Sequence, residues 1–373
     1  MNNRYVLIFK TTVFFLLTGV LMTHRLWLTE RNFPLLPLFD FTVVSAFAGN
    51  VLFALLLLFL ISCLIKYKRI LALTLFILLF FMAIQDQARW QPWTYHYFVF
   101  LIPFCFKKKK DSLVYFQLVL VGIYFWGGLN KLNPFFVNHV FPFFMHGLTG
   151  HEINMFKEAG YMVPLAELAI AMGLLFKKFQ KAAVLLAFLT HILIILVVSP
   201  LGSNINYIII PWNLAMMAYL YLCFLKSPGT VSIVNFWKHS SYKLKPILVF
   251  LVITLPVLGF FNKWDYYLSF NLYSGKGSVY QIMISKDQLN KLPYNFENAL
   301  MPGSAPEGSS IIDLYTWSVN ELNVPLPPQK RLFSKIANEF CKAGIPDEDL
   351  IYMELKRPIP TGTIVSYTCD DIK

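Results

Sequence analysis

Apolar residues in this chain gather into long, nearly unbroken runs separated by short polar or basic stretches. Nine such runs occur, at roughly 5–24, 40–65, 69–85, 93–106, 112–131, 161–176, 182–199, 207–225 and 246–262. A helix that crosses a bilayer needs about 20 apolar residues at about 1.5 Å of rise each, so each run predicts a membrane span. The runs at 93–106 and 161–176 are short, and crossing there requires local thinning of the bilayer. The first run follows Arg4 without a small-x-small cleavage pattern after it, so it reads as an anchor. Beyond residue 262 the pattern changes. VYQIMIS (279–285), LIYMELK (350–356) and TIVSYTC (363–369) are strand-like, rich in β-branched and aromatic residues. QKRLFSKIANEFCKA (329–343) puts Leu332, Phe333, Ile336, Ala337 and Phe340 on one helical face, with Gly344 and Pro346 as its stop. The stretches 302–310 and 325–329 read as loops. The predicted fold class is mainly α: a polytopic transmembrane bundle over 1–262, then a small extramembrane α+β domain over 263–373.

Composition agrees with that division. The chain is 57% hydrophobic and 14% charged with a mean hydropathy of +0.57, which excludes a disordered chain and most soluble enzymes. Its net charge of +12 would suggest nucleic acid in a soluble protein. Here, however, residues 1–262 carry 21 Lys/Arg against 7 Asp/Glu, while 263–373 carry 11 against 13. The excess lies in the loops between spans and reads as an orientation signal, with no nucleic-acid partner implied. The loops at 66–69, 107–110, 177–181 and 226–245 hold 14 Lys/Arg, and the alternate loops hold five: Arg25, Arg31, Arg89, Lys131 and Lys157. Every second loop is therefore basic. The expected topology is a cytoplasmic N-terminus and an extracytoplasmic C-terminal domain, in a bacterial inner membrane with that domain in the periplasm. Residues 227–245 read as an interfacial helix, and the Phe-rich loop 132–160 as a stretch at the outer interface. Cys63, Cys105 and Cys223 fall in spans, whereas Cys341 and Cys369 fall in the exported domain, where a disulfide is one of two open outcomes.

Ionisable groups inside a membrane are costly unless paired or hydrated, which makes each a candidate site residue. In the fifth run Gln117, Tyr124 and Lys131 recur every seven residues and share one helical stripe, with Gly127 and Gly128 allowing close helix approach. Lys131, flanked by Asn130 in the sequence NKLN, is a candidate base or anion-binding cation; the alternative is a lysine snorkelling to headgroups. In DQARWQPWTYHY (86–97), Asp86 and Arg89 are spaced to pair, while Trp90, Trp93, Tyr95 and Tyr97 suit an aromatic belt. Glu167 and His191 are expected at similar depth, within reach of a direct hydrogen bond, as a relay or as a structural pair. Asn204, Asn206 and Asn213 add amides at the same level. All these groups fall in the outer half of the predicted bundle, which suggests one outward or lateral cavity; a transporter would be expected to carry polar groups at the midplane and on both sides. His139, His146 and His151 match no zinc-site spacing, so no metal site is assigned.

YFWGGLNKLNPFF (124–136) resembles the helix of vitamin K-dependent gamma-carboxylase that carries its catalytic base lysine, and Lys131 is the matching position. DQARWQPWTYHY resembles that enzyme's earlier luminal turn through Asp86, Trp90 and Tyr95, and departs from it at Trp93, where the carboxylase has a histidine. His191 also fits the pattern of the wider horizontally transferred transmembrane (HTTM) group, which shades into DoxX-like membrane proteins. The resemblance covers about residues 1–225. It implies a lysine at the mouth of a lipid-accessible cavity and, as cofactor or substrate, a quinone or quinol or another isoprenoid. Two functional readings follow. In the first, a membrane-embedded enzyme acts on a lipid-soluble small molecule, with Lys131, His191 and Glu167 catalytic and Asp86, Arg89, Trp93, Gln117, Tyr124, Asn130, Asn206 and Asn213 lining the site. In the second, a non-catalytic anchor presents the C-terminal domain to a membrane or periplasmic protein partner. A transporter ranks third.

Overall fold

The computed structural model describes residues 3–106, 112–151, 154–226, 244–301, 303, 305–356 and 363–372. The KKKK loop at 107–110 and residues 227–243 of the expected interfacial helix lie outside the described residues. Among the described residues five helices are long and apolar enough to cross a membrane: Asn3–Met22, Ala46–Ile65, Ser112–Lys131, Lys157–Leu175 and Gln180–Val198. Shorter apolar helices run over Arg69–Gln85, Ile209–Leu225 and Lys245–Phe260. A further helix, Pro92–Leu101, continues as a 3-10 turn over Ile102–Cys105 around Pro103. The chain is thus mainly helical and carries the helices of an integral membrane protein.

Two compact units form. The first comprises 1–21, 54–80 and 92–275; the second comprises 22–53, 81–91 and 276–373. Within the first, the Ser112–Lys131 helix is the most enclosed of the long apolar helices. Its glycines let neighbours come close. A Cβ at Gly128 would lie 2.8 Å from the Pro164 carbonyl, and one at Gly122 would lie 2.2 Å from Val252 Cγ1. Two widened π turns face the same helix. In such a turn a backbone carbonyl leaves the regular ladder and is free for another donor. Gln117 Nε2 donates to Cys223 O at 2.8 Å in the turn Tyr221–Leu225, and Trp126 Nε1 to Val252 O at 2.7 Å in the turn Phe250–Thr254. The stretch 132–160 is not a bare loop: it forms a π turn over Phe136–Val140 and a helix over Phe141–Thr149, closed by Gly150 at φ 72°.

The second unit is built on a four-stranded antiparallel sheet in the order β2-β1-β3-β4, with β1 Val279–Ser285, β2 Ser309–Asp313, β3 Leu350–Lys356 and β4 Thr363–Tyr367. Alternation sets its buried face: Tyr280, Ile282 and Ile284 of β1 lie opposite Glu354, Tyr352 and Leu350 of β3. The helix Lys330–Cys341 covers that face with Leu332, Phe333, Ile336, Ala337 and Phe340, as its periodicity predicts, and Phe333 stacks on Tyr280 at 4.6 Å. Gly344 adopts φ 67° just past its end. The described residues of the expected loop at 302–310 are turn and irregular chain as far as Gly308, and its last two residues, Ser309 and Ser310, open strand β2, which the sequence reading did not anticipate. Its apolar pair Ile311-Ile312 is too short to signal a strand by itself, and pairing with β1 supplies what the local sequence lacks. Cys341 and Cys369 are bonded as a disulfide.

Candidate functional site

The first unit holds a buried polar group in otherwise apolar surroundings. The Ser112–Lys131 helix brings Tyr124, Gly127, Gly128 and Lys131 to one face. Because Gly127 and Gly128 lack side chains, the Met162–Leu175 helix comes near enough to place Glu167 beside Lys131. Lys131 Nζ donates to Glu167 Oε1 at 3.0 Å, to Oε2 at 2.9 Å and to Gly127 O at 3.3 Å, which engages all three ammonium protons. A lysine in the last turn also meets the negative end of its own helix. The side chains of the pair are each 10% exposed, so this is a largely desolvated ion pair.

His191, on the Gln180–Val198 helix, bonds elsewhere. The expected Glu167–His191 hydrogen bond is not what the structure builds: the glycine-lined approach turns Glu167 to Lys131, and His191 meets Tyr124 and Asn213. Asn213 Nδ2 donates to Ile209 O at 2.8 Å, which leaves its Oδ1 to face His191 Nδ1 at 2.6 Å. That oxygen can only accept, so Nδ1 carries the proton and Nε2 accepts the Tyr124 hydroxyl at 2.5 Å. The result is an Asn–His–Tyr chain with a fixed tautomer. In the same unit Trp212 Nε1 donates to His96 Nδ1 at 2.9 Å. His96 Nε2 is buried without a hydrogen-bond partner among the described residues.

Other expected site residues in this unit have structural surroundings. Gln117 is bonded to the Cys223 carbonyl. Trp93 packs its ring over Gly19, where a Cβ would come within 2.6 Å. Asn130 is buried, and its carbonyl accepts from Asn133 Nδ2, which also reaches Ser274 O at 3.0 Å. Asn206 takes a left-handed conformation at φ 48° and donates to the Tyr273 hydroxyl at 2.8 Å. Tyr273 and Ser274 are themselves part of the first unit, which extends to residue 275.

Asp86 and Arg89 lie in the second unit, where both are engaged by protein groups. Asp86 caps the turn Gln87–Arg89 through Ala88 N and receives Arg31 at 2.6 Å and Leu36 N at 3.3 Å. Arg89 stands 3.8 Å from Asp86 and donates to the carbonyls of Leu26, Met82 and Trp27 at 3.0, 2.8 and 3.1 Å. Burial pulls the Arg89 guanidinium down to about 10, against the opposing pull of Asp86, so it stays charged at neutral pH. Arg31 is the residue that sequence reading missed: it lies 55 positions from Asp86 and no local spacing signals the pair. Among the described residues no group of three or more His, Cys, Asp or Glu is placed to hold a metal ion. No protein-family model matches this chain, and no curated protein or solved structure does so either.

Proposed function

We propose that the helical unit is a membrane-embedded enzyme that takes a proton from a hydroxyl of a lipid-soluble substrate, of the quinol or isoprenoid kind suggested by the resemblance to the gamma-carboxylase, HTTM and DoxX-like proteins. The observation that carries this reading is the Tyr124–His191–Asn213 chain beside the Lys131–Glu167 pair. Tyr124 accepts the substrate proton as it passes its own to His191 Nε2. Asn213 Oδ1 then holds the Nδ1–H of the imidazolium. Lys131, with all its protons engaged, serves as the cation that steadies the developing anion rather than as the base. Glu167 holds it in place. The bundle in this reading has nine spans, a cytoplasmic N-terminus and an extracytoplasmic C-terminal domain, in a bacterial inner membrane.

The test is chemical. Organic extracts of purified wild type, Tyr124→Phe and His191→Gln are compared for co-purifying quinones and other isoprenoids, and the proteins are titrated with a quinol in nanodiscs. A bound isoprenoid in wild type that falls in both variants supports the reading. A wild type that neither carries nor binds one removes it.

The full engagement of Lys131 inside the protein also favours a second reading, a brace within a non-catalytic anchor for the C-terminal domain and its partner. Lys131→Arg separates the two. An anchor needs only the ion pair with Glu167, which arginine also makes, and so keeps its partner binding, whereas the enzyme loses substrate binding because the larger planar guanidinium cannot hold its charge at the point where the ammonium group stands.

A further inference from the structure

The helices Lys157–Leu175 and Gln180–Val198 form a hairpin whose tight turn carries three lysines. Phe179 N and Gln180 N both return to Phe176 O, and buried Gln180 donates through Nε2 to Leu174 O at 3.1 Å, which fixes the turn. Between the two helices, beginning at this turn, runs an open apolar groove of about 390 Å³. Ala169, Gly173, Ala182 and Ala183 form its floor, and Phe176 and Phe179 stand at its mouth, each more than half exposed. The floor is low because the helices nearly touch: a Cβ at Gly173 would come within 2.8 Å of Ala183 Cβ. From Ala169 to Phe176 the groove extends about 10 Å along the helix axis.

The turn at which the groove begins is basic, although no lysine is among the residues that line the groove. Lys177, Lys178 and Lys181 are exposed, none makes an ion pair among the described residues, and Lys178 Nζ lies 5.6 Å from the Phe179 ring centroid. No acidic residue occurs anywhere between Glu167 and Asp265. An apolar slot between two membrane-length helices, adjoining in the chain a turn with three exposed lysines that make no ion pair among the described residues, complements a ligand with a hydrocarbon chain and an anionic head. A second copy of the hairpin would instead set lysines against lysines.

We infer that this groove is a binding site for an anionic glycerophospholipid, with one acyl chain along the Ala169–Ala182 floor and the phosphate held by Lys177, Lys178 and Lys181. The site is separate in the chain's chemistry from the Tyr124–His191–Asn213 chain and does not depend on that reading. It rests only on the two helices lying in a bilayer.

The experiment uses the full chain in nanodiscs of phosphatidylcholine with a minor fraction of phosphatidylglycerol, followed by native mass spectrometry of the released protein. Wild type should retain phosphatidylglycerol in preference to phosphatidylcholine. Lysines near an anionic head contribute about fivefold each, so Lys177→Gln/Lys178→Gln/Lys181→Gln should lower that preference on the order of a hundredfold, while a triple arginine variant keeps it. Because removing three loop charges can disturb insertion, Ala182→Phe provides a second arm: this exposed position fills the groove with all lysines kept, and should displace the lipid from a folded protein. Equal retention of the two lipids by wild type would mean that ordinary bilayer covers the groove and would overturn the proposal. So would undiminished phosphatidylglycerol on Ala182→Phe. Cross-linking of Ala182→Cys between two copies would assign the groove to self-association and overturn it as well.

Discussion

Replacing Glu167 by Leu removes the countercharge of Lys131 and leaves an ammonium group with only the Gly127 carbonyl as partner. Breaking a buried pair from one side costs about 3–5 kcal/mol, because the remaining ion keeps its desolvation penalty without the attraction that offset it. Both side chains retain 10% exposure, which places the expected loss near the lower end, about 3 kcal/mol. Lys131→Met should cost less, about 2 kcal/mol, since the stranded Glu167 can neutralise itself by taking up a proton. The double variant Lys131→Met/Glu167→Leu leaves no buried charge and should return to within about 1 kcal/mol of wild type. In thermal unfolding in nanodiscs, Glu167→Leu would then lower the midpoint by roughly 6–12 °C and the double variant would recover most of it. The non-additivity of this cycle, about 3 kcal/mol or more, is the quantity to read. Additive effects, or single variants within about 1 kcal/mol of wild type, would show that water already solvates the pair and would refute the desolvated-site argument.

Further expectations follow from other contacts. Gly128→Ala pushes a Cβ to 2.8 Å from the Pro164 carbonyl and should lower the unfolding midpoint more than Gly127→Ala, whose nearest contact is Glu167 Oε2 at 3.3 Å; equal effects would contradict the close helix approach. Asp86→Leu strands Arg31 and Arg89 and should destabilise by about 3 kcal/mol, read by protease resistance of the second unit; an unchanged pattern would argue against a stabilising role for the Arg31–Asp86–Arg89 ion pairs. Opening the Cys341–Cys369 disulfide, whose residues are 28 apart, should cost about 3.5 kcal/mol by loop entropy, measured as the shift in unfolding midpoint of Cys341→Ser/Cys369→Ser. The Asp40 carboxyl is held below its usual range by its hydrogen bond to Lys335 and by that lysine's charge. A carboxylate with a lowered folded pKa contributes stability above its unfolded value and loses it as pH falls through the folded one. Wild type should therefore lose its small advantage over Lys335→Gln between about pH 4 and more acidic values, as read by paired unfolding curves.

Much of the architecture is legible in the residues because it depends on local patterns. The apolar runs at 5–24, 112–131 and 182–199 reappear as helices with ends shifted by a few residues. The 3.6-residue repeat of Leu332, Phe333, Ile336, Ala337 and Phe340 identifies a face that is buried as expected. The strand VYQIMIS appears with the predicted bounds, since alternation and β-branching over seven residues are enough to specify a strand. Strand β2 was not legible: two isoleucines after a glycine-rich stretch acquire their identity from pairing with β1.

The chemistry divides in the same way. Tyr124 and Lys131 share a stripe by helical geometry alone, and the glycines between them signal a close neighbour in advance. Which carboxylate, imidazole or amide each would meet depended on helix rotation and packing, which no sequence spacing encodes. Packing turned Glu167 toward Lys131, gave His191 to Tyr124 and Asn213, and joined Arg31 to Asp86 across 55 residues. The sequence by itself determined the membrane helices and the costly groups they carry. The tertiary structure decided the partners, because pairing between distant segments is settled by how closely their backbones approach.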